Sequence, residues 1–238
     1  MQRFLPRAAF QKNTLSLNTD FVGGKQELRQ QLLNSGYIQV DVVEDQGEFS
    51  AHGDIMDVFP LNQEKPVRME FSENSELLYL KPFEIQTQRT GEAELTSLKI
   101  LPGSEILFNQ ETIYFARQTL PSYRKECTPE VLRRLKESLQ KCESFPGIES
   151  LSPLFYPKLE TLFDYFPAEY LLVVDEENHI TERAEHFYQE VFMEYELSKQ
   201  QNKLTLSPEA LFLTHRELET RLKESAQVYL KSIVPSKK

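Results

Sequence analysis

Positive charge is scarce in this chain of 238 residues: 27 Lys and Arg stand against 37 Asp and Glu, a formal net charge of −10. Affinity for nucleic-acid phosphates comes from Lys and Arg that displace counterions, so this balance argues against a chain whose main work is gripping DNA. Cysteine is scarcer still. Cys127 and Cys142 have no CxxC pairing and no histidine at ligand spacing, so the expectation is two reduced, buried thiols rather than a disulfide framework or a zinc site. Apolar runs are short: none reaches the eighteen or so residues of a membrane span, and Met1 to Phe10 lacks the apolar stretch of a signal peptide. Neither membrane nor export is supported, and the cytoplasm is the expected location. A phosphate-cradling GxxxxGK[ST] is also missing. The nearest string, Val22-Gly23-Gly24-Lys25, lacks the first glycine at the right spacing and the Ser or Thr after the lysine, so no nucleotide cofactor is expected.

What is present is material for packed cores, with 39% hydrophobic and 11% aromatic residues, enough for one or two domains. The stretch GEFSAHGDIMDVFP, Gly47 to Pro60, packs alternating apolar positions, a mid-strand Gly53 and a Pro stop into one hairpin-like unit. Around it, residues 1 to about 102 read as a compact α/β module. A helix is predicted over Lys25 to Asn34, stopped by Gly36. Strands follow at Tyr37–Val43, Glu48–Ala51, Asp54–Phe59, Val67–Phe71, Leu77–Lys81 and Leu98–Leu101, mostly antiparallel. From 103 to 238 the pattern turns helical. Asn109 caps Gln110 to Leu120, Thr128 precedes Pro129 at a first helical position, and Thr214 with Glu217 forms a capping box. Within this half, Tyr170 to Val174 reads as a buried strand and Ile180 to Lys199 as a long helix. The fold class expected is α/β (α+β), a mixed, mostly antiparallel sheet module followed by a mainly helical region.

Catalytic chemistry has little to stand on. Four apolar residues followed by Asp175 and Glu176 are how a nucleotide-hydrolysing strand presents a carboxylate to magnesium, but without a phosphate cradle the reading is a strand end with solvated carboxylates. His52, His179, His186 and His215 are expected in separate elements with no Ser or Cys motif nearby, so no triad can be placed. Arg133, Arg134, Lys136 and Lys141 alternate with Glu130, Glu137 and Glu143 as a solvated helix face does. The aromatics Phe145, Phe155, Tyr156, Phe163, Tyr165 and Phe166, interleaved with four prolines, read as a packed loop rather than a base-stacking platform. No catalytic residue, metal ligand or cofactor contact is assigned.

Read together, Gly36-Tyr37, GEFSAHGDIMDVFP, PVRMEF (Pro66 to Phe71), PFEIQTQRT (Pro82 to Thr90), GIESLSPLFYP (Gly147 to Pro157) and LFDYFPAEYLLVVDE (Leu162 to Glu176) resemble the domain shared by excinuclease B and the bacterial transcription-repair coupling factors. The TQRT ending and LPGSE at Leu101 to Glu105 look more like the coupling factors. The resemblance implies an excinuclease-A-binding module at 1–102 and, at 103–238, half of a degenerate helicase-like domain whose other half would precede Met1. In it Asp175 and Glu176 stand where the second helicase motif lies. It also implies a non-catalytic interaction fragment: excinuclease A (UvrA) is the partner of this region, while RNA polymerase and DNA are met, and ATP and Mg used, only by parts outside the chain. Carried over residue by residue, the partner-binding positions are Gln39, Ser50, His52, Arg68 and Glu70. Arginines stand in excinuclease B at the first three, and Arg68 and Glu70 match. Alternation sends Arg68 and Glu70 to one face of their strand. Read as an exposed pair, they make Arg68→Glu a change expected to cost binding while leaving folding nearly intact. The alternatives from other classes are part of an ATP-dependent DNA translocase whose motor lies elsewhere, and a weak DNA-binding module in the helical half.

Overall fold

The computed structural model describes residues 1–124, 128–201 and 206–230. In chain order it contains α1 (Arg7–Lys12), β1 (Leu15–Leu17), α2 (Gly24–Asn34), β2 (Ile38–Gln39), β3 (Glu48–His52), β4 (Ile55–Val58), β5 (Val67–Phe71), β6 (Leu77–Glu84), β7 (Arg89–Thr90) and β8 (Leu98–Ile100). There follow α3 (Gln110–Thr119), α4 (Pro129–Lys141), a 3-10 turn at Ile148–Leu151, α5 (Ser152–Phe155), α6 (Leu162–Tyr165), β9 (Leu171–Asp175), α7 (Glu177–Gln200), α8 (Pro208–Leu211), α9 (His215–Lys223) and β10 (Ala226–Leu230). The class is the expected mixed α/β, with a mostly antiparallel sheet. By packing the chain divides into two compact units, one made of 8–114 with 138–146 and the other of 1–7, 115–137 and 147–238.

The first unit is built on a six-stranded sheet in the order β2-β3-β4-β5-β6-β7, in which only the β2–β3 pair is parallel. Alternation along β3 to β6 sends Phe49, Met56, Val58, Val67, Met69 and Leu80 to one face, all fully buried. There they meet Leu28 and Leu32 of α2 and Leu17, Leu98 and Ile100 of the separate β1–β8 pair. Each such side chain contributes on the order of 1.5–3 kcal/mol by leaving water, which makes this face the core of the unit. α2 ends where the sequence places its stop. Gly36 takes φ +88°, and a Cβ there would stand 2.4 Å from the Ser104 Cβ, so both the dihedral and the close approach require glycine. The strand predicted over Tyr37–Val43 shrinks to Ile38–Gln39, because beyond Val40 the chain turns away as a loop whose Val43 is buried against Phe59 and Phe83.

In the second unit a strand absent from the sequence-based expectation appears. β10 pairs in parallel with β9, Ala226 opposite Leu171 through Leu230 opposite Asp175. One face of this pair lies against α7 and α9, which bury Val174 but leave Tyr229 44% exposed, beside a cavity of about 60 Å³ edged by Ile180 and Leu222. The other face carries Leu171, Val173, Val228 and Leu230 in the open, Leu171 being 61% and Val173 56% exposed. β9 is therefore not the buried strand expected; only Val174 is buried, because a single layer of helices covers one side. The aromatics are packed as expected: Phe155, Tyr156 and Phe163 are buried, Phe163 meets Phe166 edge-on at 6.4 Å, and the Tyr165 hydroxyl donates to the Leu5 carbonyl at 2.6 Å. The Asn109 cap and the Thr214–Glu217 capping box also form. His179 and His186 share α7 rather than lying in separate elements, since that helix starts earlier than predicted. Cys142 is half-buried, not buried, and Cys127 lies outside the described residues.

Candidate interaction surface

The second face of the six-stranded sheet carries the polar positions of the same alternation. Two rows cross it in register: Ser50, Asp57, Arg68 and Lys81, then His52, Ile55, Glu70 and Tyr79. Four of the five residues singled out from the sequence meet here. Gln39 does not. Its register partner is the core-facing Phe49, and its Oε1 accepts from the Arg29 Nε of α2 at 2.9 Å, on the helix-covered side.

Arg68 is the centre of the first row. Its Nε donates to Asp57 Oδ1 at 2.8 Å and its Nη2 to Asp57 Oδ2 at 2.7 Å, the bidentate geometry that planar guanidinium and carboxylate allow. Nη1 donates to the Gln88 carbonyl at 3.0 Å, and the guanidinium carbon lies 4.8 Å from the centroid of the Phe83 ring. The hydrogen bonds to Asp57 outweigh burial and push the Arg68 pKa up. The side chains of Arg68 and Asp57 are only 20% and 8% exposed. This corrects the expectation that Arg68→Glu would leave folding intact: it would set a second carboxylate against a buried one. Breaking a buried ion pair by removing one partner costs roughly 3–5 kcal/mol.

In the second row, the hydrogen bond between the Tyr79 hydroxyl and the Glu70 carboxylate, with burial adding to it, pushes the Tyr79 phenol up to about 12. Lys81 Nζ sits 4.5 Å from the Tyr79 ring centroid and 2.9 Å from Glu94 Oε1. Ser50 is buried. His52 is exposed, its Nε2 2.9 Å from the Asp41 carbonyl oxygen, and Ile55 beside it is 37% exposed. Most charges of the face are thus matched within it, and the groups left open to an incoming surface are His52, Ile55 and the edge of Tyr79. An open, half-apolar patch at the turn end of β3 and β4, beside a row of internally paired charges, can be met by a partner with little charge to desolvate. Asp57, Tyr79 and Lys81 were not singled out beforehand. The IMDVFP alternation puts Asp57 on the Arg68 face, yet nothing short of the strand register reveals that the two meet.

Other candidate chemistry stays dispersed. Gly23, Gly24 and Lys25 open α2 at one side of a cleft of about 670 Å³, where Lys25 Nζ donates to the Gly53 carbonyl. Glu176, at the end of β9, takes a left-handed φ of 52° and its N–H donates to the Leu230 carbonyl at 3.0 Å. Among the described residues no group of three or more His, Cys, Asp or Glu could hold a metal ion, and no helix is long and apolar enough to cross a membrane.

Residues 15–106, which contain the whole of this surface, match the family model described as the UvrB interaction domain. Over 237 residues, 98% of its length, the chain is 33% identical to a transcription-repair-coupling factor of Haemophilus influenzae, and over 235 residues it is 31% identical to that of Escherichia coli K12. The coupling factor of Bacillus subtilis 168 is 31% identical over 176 residues, 69% of this chain. The chain spans 20% of the length of each of the first two relatives. Along nearly its whole length the chain is therefore similar to a stretch of the transcription-repair-coupling factors, and its residues 15–106 match the UvrB interaction domain.

Proposed function

We propose that this chain is a non-catalytic interaction region that recruits excinuclease A to stalled RNA polymerase in transcription-coupled nucleotide excision repair. The observation that carries the reading is the second sheet face, where His52 and Ile55 stand open beside the Arg68–Asp57 pair within the matched domain. Residues 1–102 are the binding module in this reading, and 103–238 correspond to half of a degenerate helicase-like domain. Polymerase contact, DNA translocation and the use of ATP and magnesium belong to other parts of the full-length relatives, in the cytoplasm. Ser50, Arg68 and Glu70 act in this reading by shaping or flanking the face, His52 meets the partner directly, and Gln39, on the helix-covered side of the sheet, has no part in the contact.

The test is a calorimetric titration of purified excinuclease A with the chain and with variants of its open positions. His52→Glu and Ile55→Lys are exposed changes, expected to shift stability by no more than about 0.5 kcal/mol. Each is expected to weaken binding by about tenfold or more, and His52→Arg to strengthen it, by restoring a fixed positive charge. Equal affinity for all four proteins places the partner elsewhere on the molecule.

A further inference from the structure

The TQRT run supplies one residue, Gln88, whose setting the docking face alone does not explain. Gln88 closes the turn between β6 and β7 with φ +55°, a left-handed conformation that few residues other than glycine adopt. Its backbone N–H donates to the Glu84 carbonyl at 2.8 Å, and its carbonyl accepts from Arg68 Nη1 at 3.0 Å. Its side-chain Nε2 donates to the Ile85 carbonyl at 2.8 Å and reaches the Val43 carbonyl at 3.4 Å, across 45 positions of sequence. Val43 is fully buried beside Phe59 and Phe83, in the middle of the 41–45 loop. The same loop is held at two further points. The N–H groups of Glu44 and Asp45 both donate to the Glu48 carboxylate at 2.9 Å, and the Asp41 carbonyl oxygen lies 2.9 Å from the His52 ring. A continuous path of contacts therefore runs from Arg68 through Gln88 and the loop to His52.

We propose that Gln88 is a positioning residue of the docking face, which ties the 41–45 loop to the Arg68–Asp57 pair and so holds the His52 ring where a partner meets it. The inference rests on the docking function proposed for this face, and it assigns Gln88 no contact with the partner. The side-chain amide suits the task because one Nε2 carries two donors: one closes its own turn and the other crosses to the loop. The carbonyl that serves Arg68 belongs to the backbone, so the two links of the path can be cut separately.

Gln88→Gly makes that cut. Glycine adopts the left-handed dihedral freely and keeps the carbonyl for Arg68, while the amide to Val43 is lost. Two readouts are taken on the full chain: hydrogen exchange of the Glu44 and Asp45 amides, and affinity for purified excinuclease A. The expected result is faster exchange at both amides and binding weaker by about two- to tenfold, as the loss of one or two side-chain hydrogen bonds permits, at a melting temperature near that of the parent. Gln88→Asn, which also tolerates the dihedral and retains an amide, is expected to recover part of the affinity. Unchanged exchange, or unchanged affinity, in Gln88→Gly overturns the proposal. Failure of the docking function itself shows separately, as retained affinity in His52→Glu and Ile55→Lys, and the exchange experiment judges the loop link without the partner.

Discussion

Asp57 and Arg68 show how a charged residue on a displayed face can serve the fold more than the surface. The pair is bidentate, mostly shielded, and braced by the Phe83 ring and the Gln88 carbonyl. Arg68→Ala is expected to lower unfolding free energy by roughly 3–5 kcal/mol, since it strands the Asp57 carboxylate, while Asp57→Asn with Arg68→Met in one chain is expected to recover most of that loss. Urea denaturation of the two variants beside the parent checks both, and an Arg68→Ala loss under about 1 kcal/mol would show the pair to be a weak surface contact. The face assignment of Arg68 and Glu70 was legible in PVRMEF because side chains alternate with a period of two. The pairing was not, because it needs the register that sets Asp57 opposite Arg68. Gln39 illustrates the same limit: a position carried over by resemblance arrives without the face on which its strand will place it.

At the scale of elements, α9 was read from its Thr214–Glu217 capping box whereas α6, whose box is Thr161–Asp164, lies in the stretch read as a packed loop, and these two helices carry the clearest dependence on pH. In α6 the Asp164 carboxylate accepts from the Thr161 N–H at 2.7 Å and from Arg221 Nη2 at 2.8 Å, and in α9 Glu217 accepts from the Thr214 N–H at 2.8 Å and from Arg3 Nη2 at 2.8 Å. Burial pushes both carboxyls up, but the hydrogen bonds and the arginine charges outweigh it, so both lie below their ordinary values of 3.8 and 4.5. A group whose folded pKa is depressed adds stability that is complete above its unfolded pKa and vanishes as pH falls through the folded value. The second unit is therefore expected to weaken below the ordinary carboxylate range. Thermal melts of the parent should fall on acidification below about pH 5, and Asp164→Asn with Glu217→Gln should start lower at about pH 7 and fall less over the same window. A parallel fall in both proteins would exclude these two carboxyls as the cause. The α9 box announces itself through Thr214 and a Glu three residues on, while the α6 box carries Asp164 where that signature asks for Glu or Gln. β10 does not: AQVYL is short, its partner lies far back in the chain, and its open face removes the apolar run that marks a buried parallel strand.

For the molecule as a whole, the net charge of −10 bears on what it can hold besides a protein partner. Duplex DNA is expected to bind weakly and to be released at physiological salt, because few phosphates can be neutralised at once; a gel shift that survives such salt at micromolar protein would overturn this. The parallel strand pair has a consequence of another kind, in time rather than in space. Leu171 must wait for Ala226, so during synthesis β9 leaves the ribosome 55 residues ahead of the strand that completes its ladder. At translation rates of about 5–20 residues per second, that is roughly 3 to 11 seconds in which LLVVD has an unpaired edge and no second strand beside it. The nascent chain thus passes through an interval in which a chaperone that captures short apolar segments can compete with its own folding.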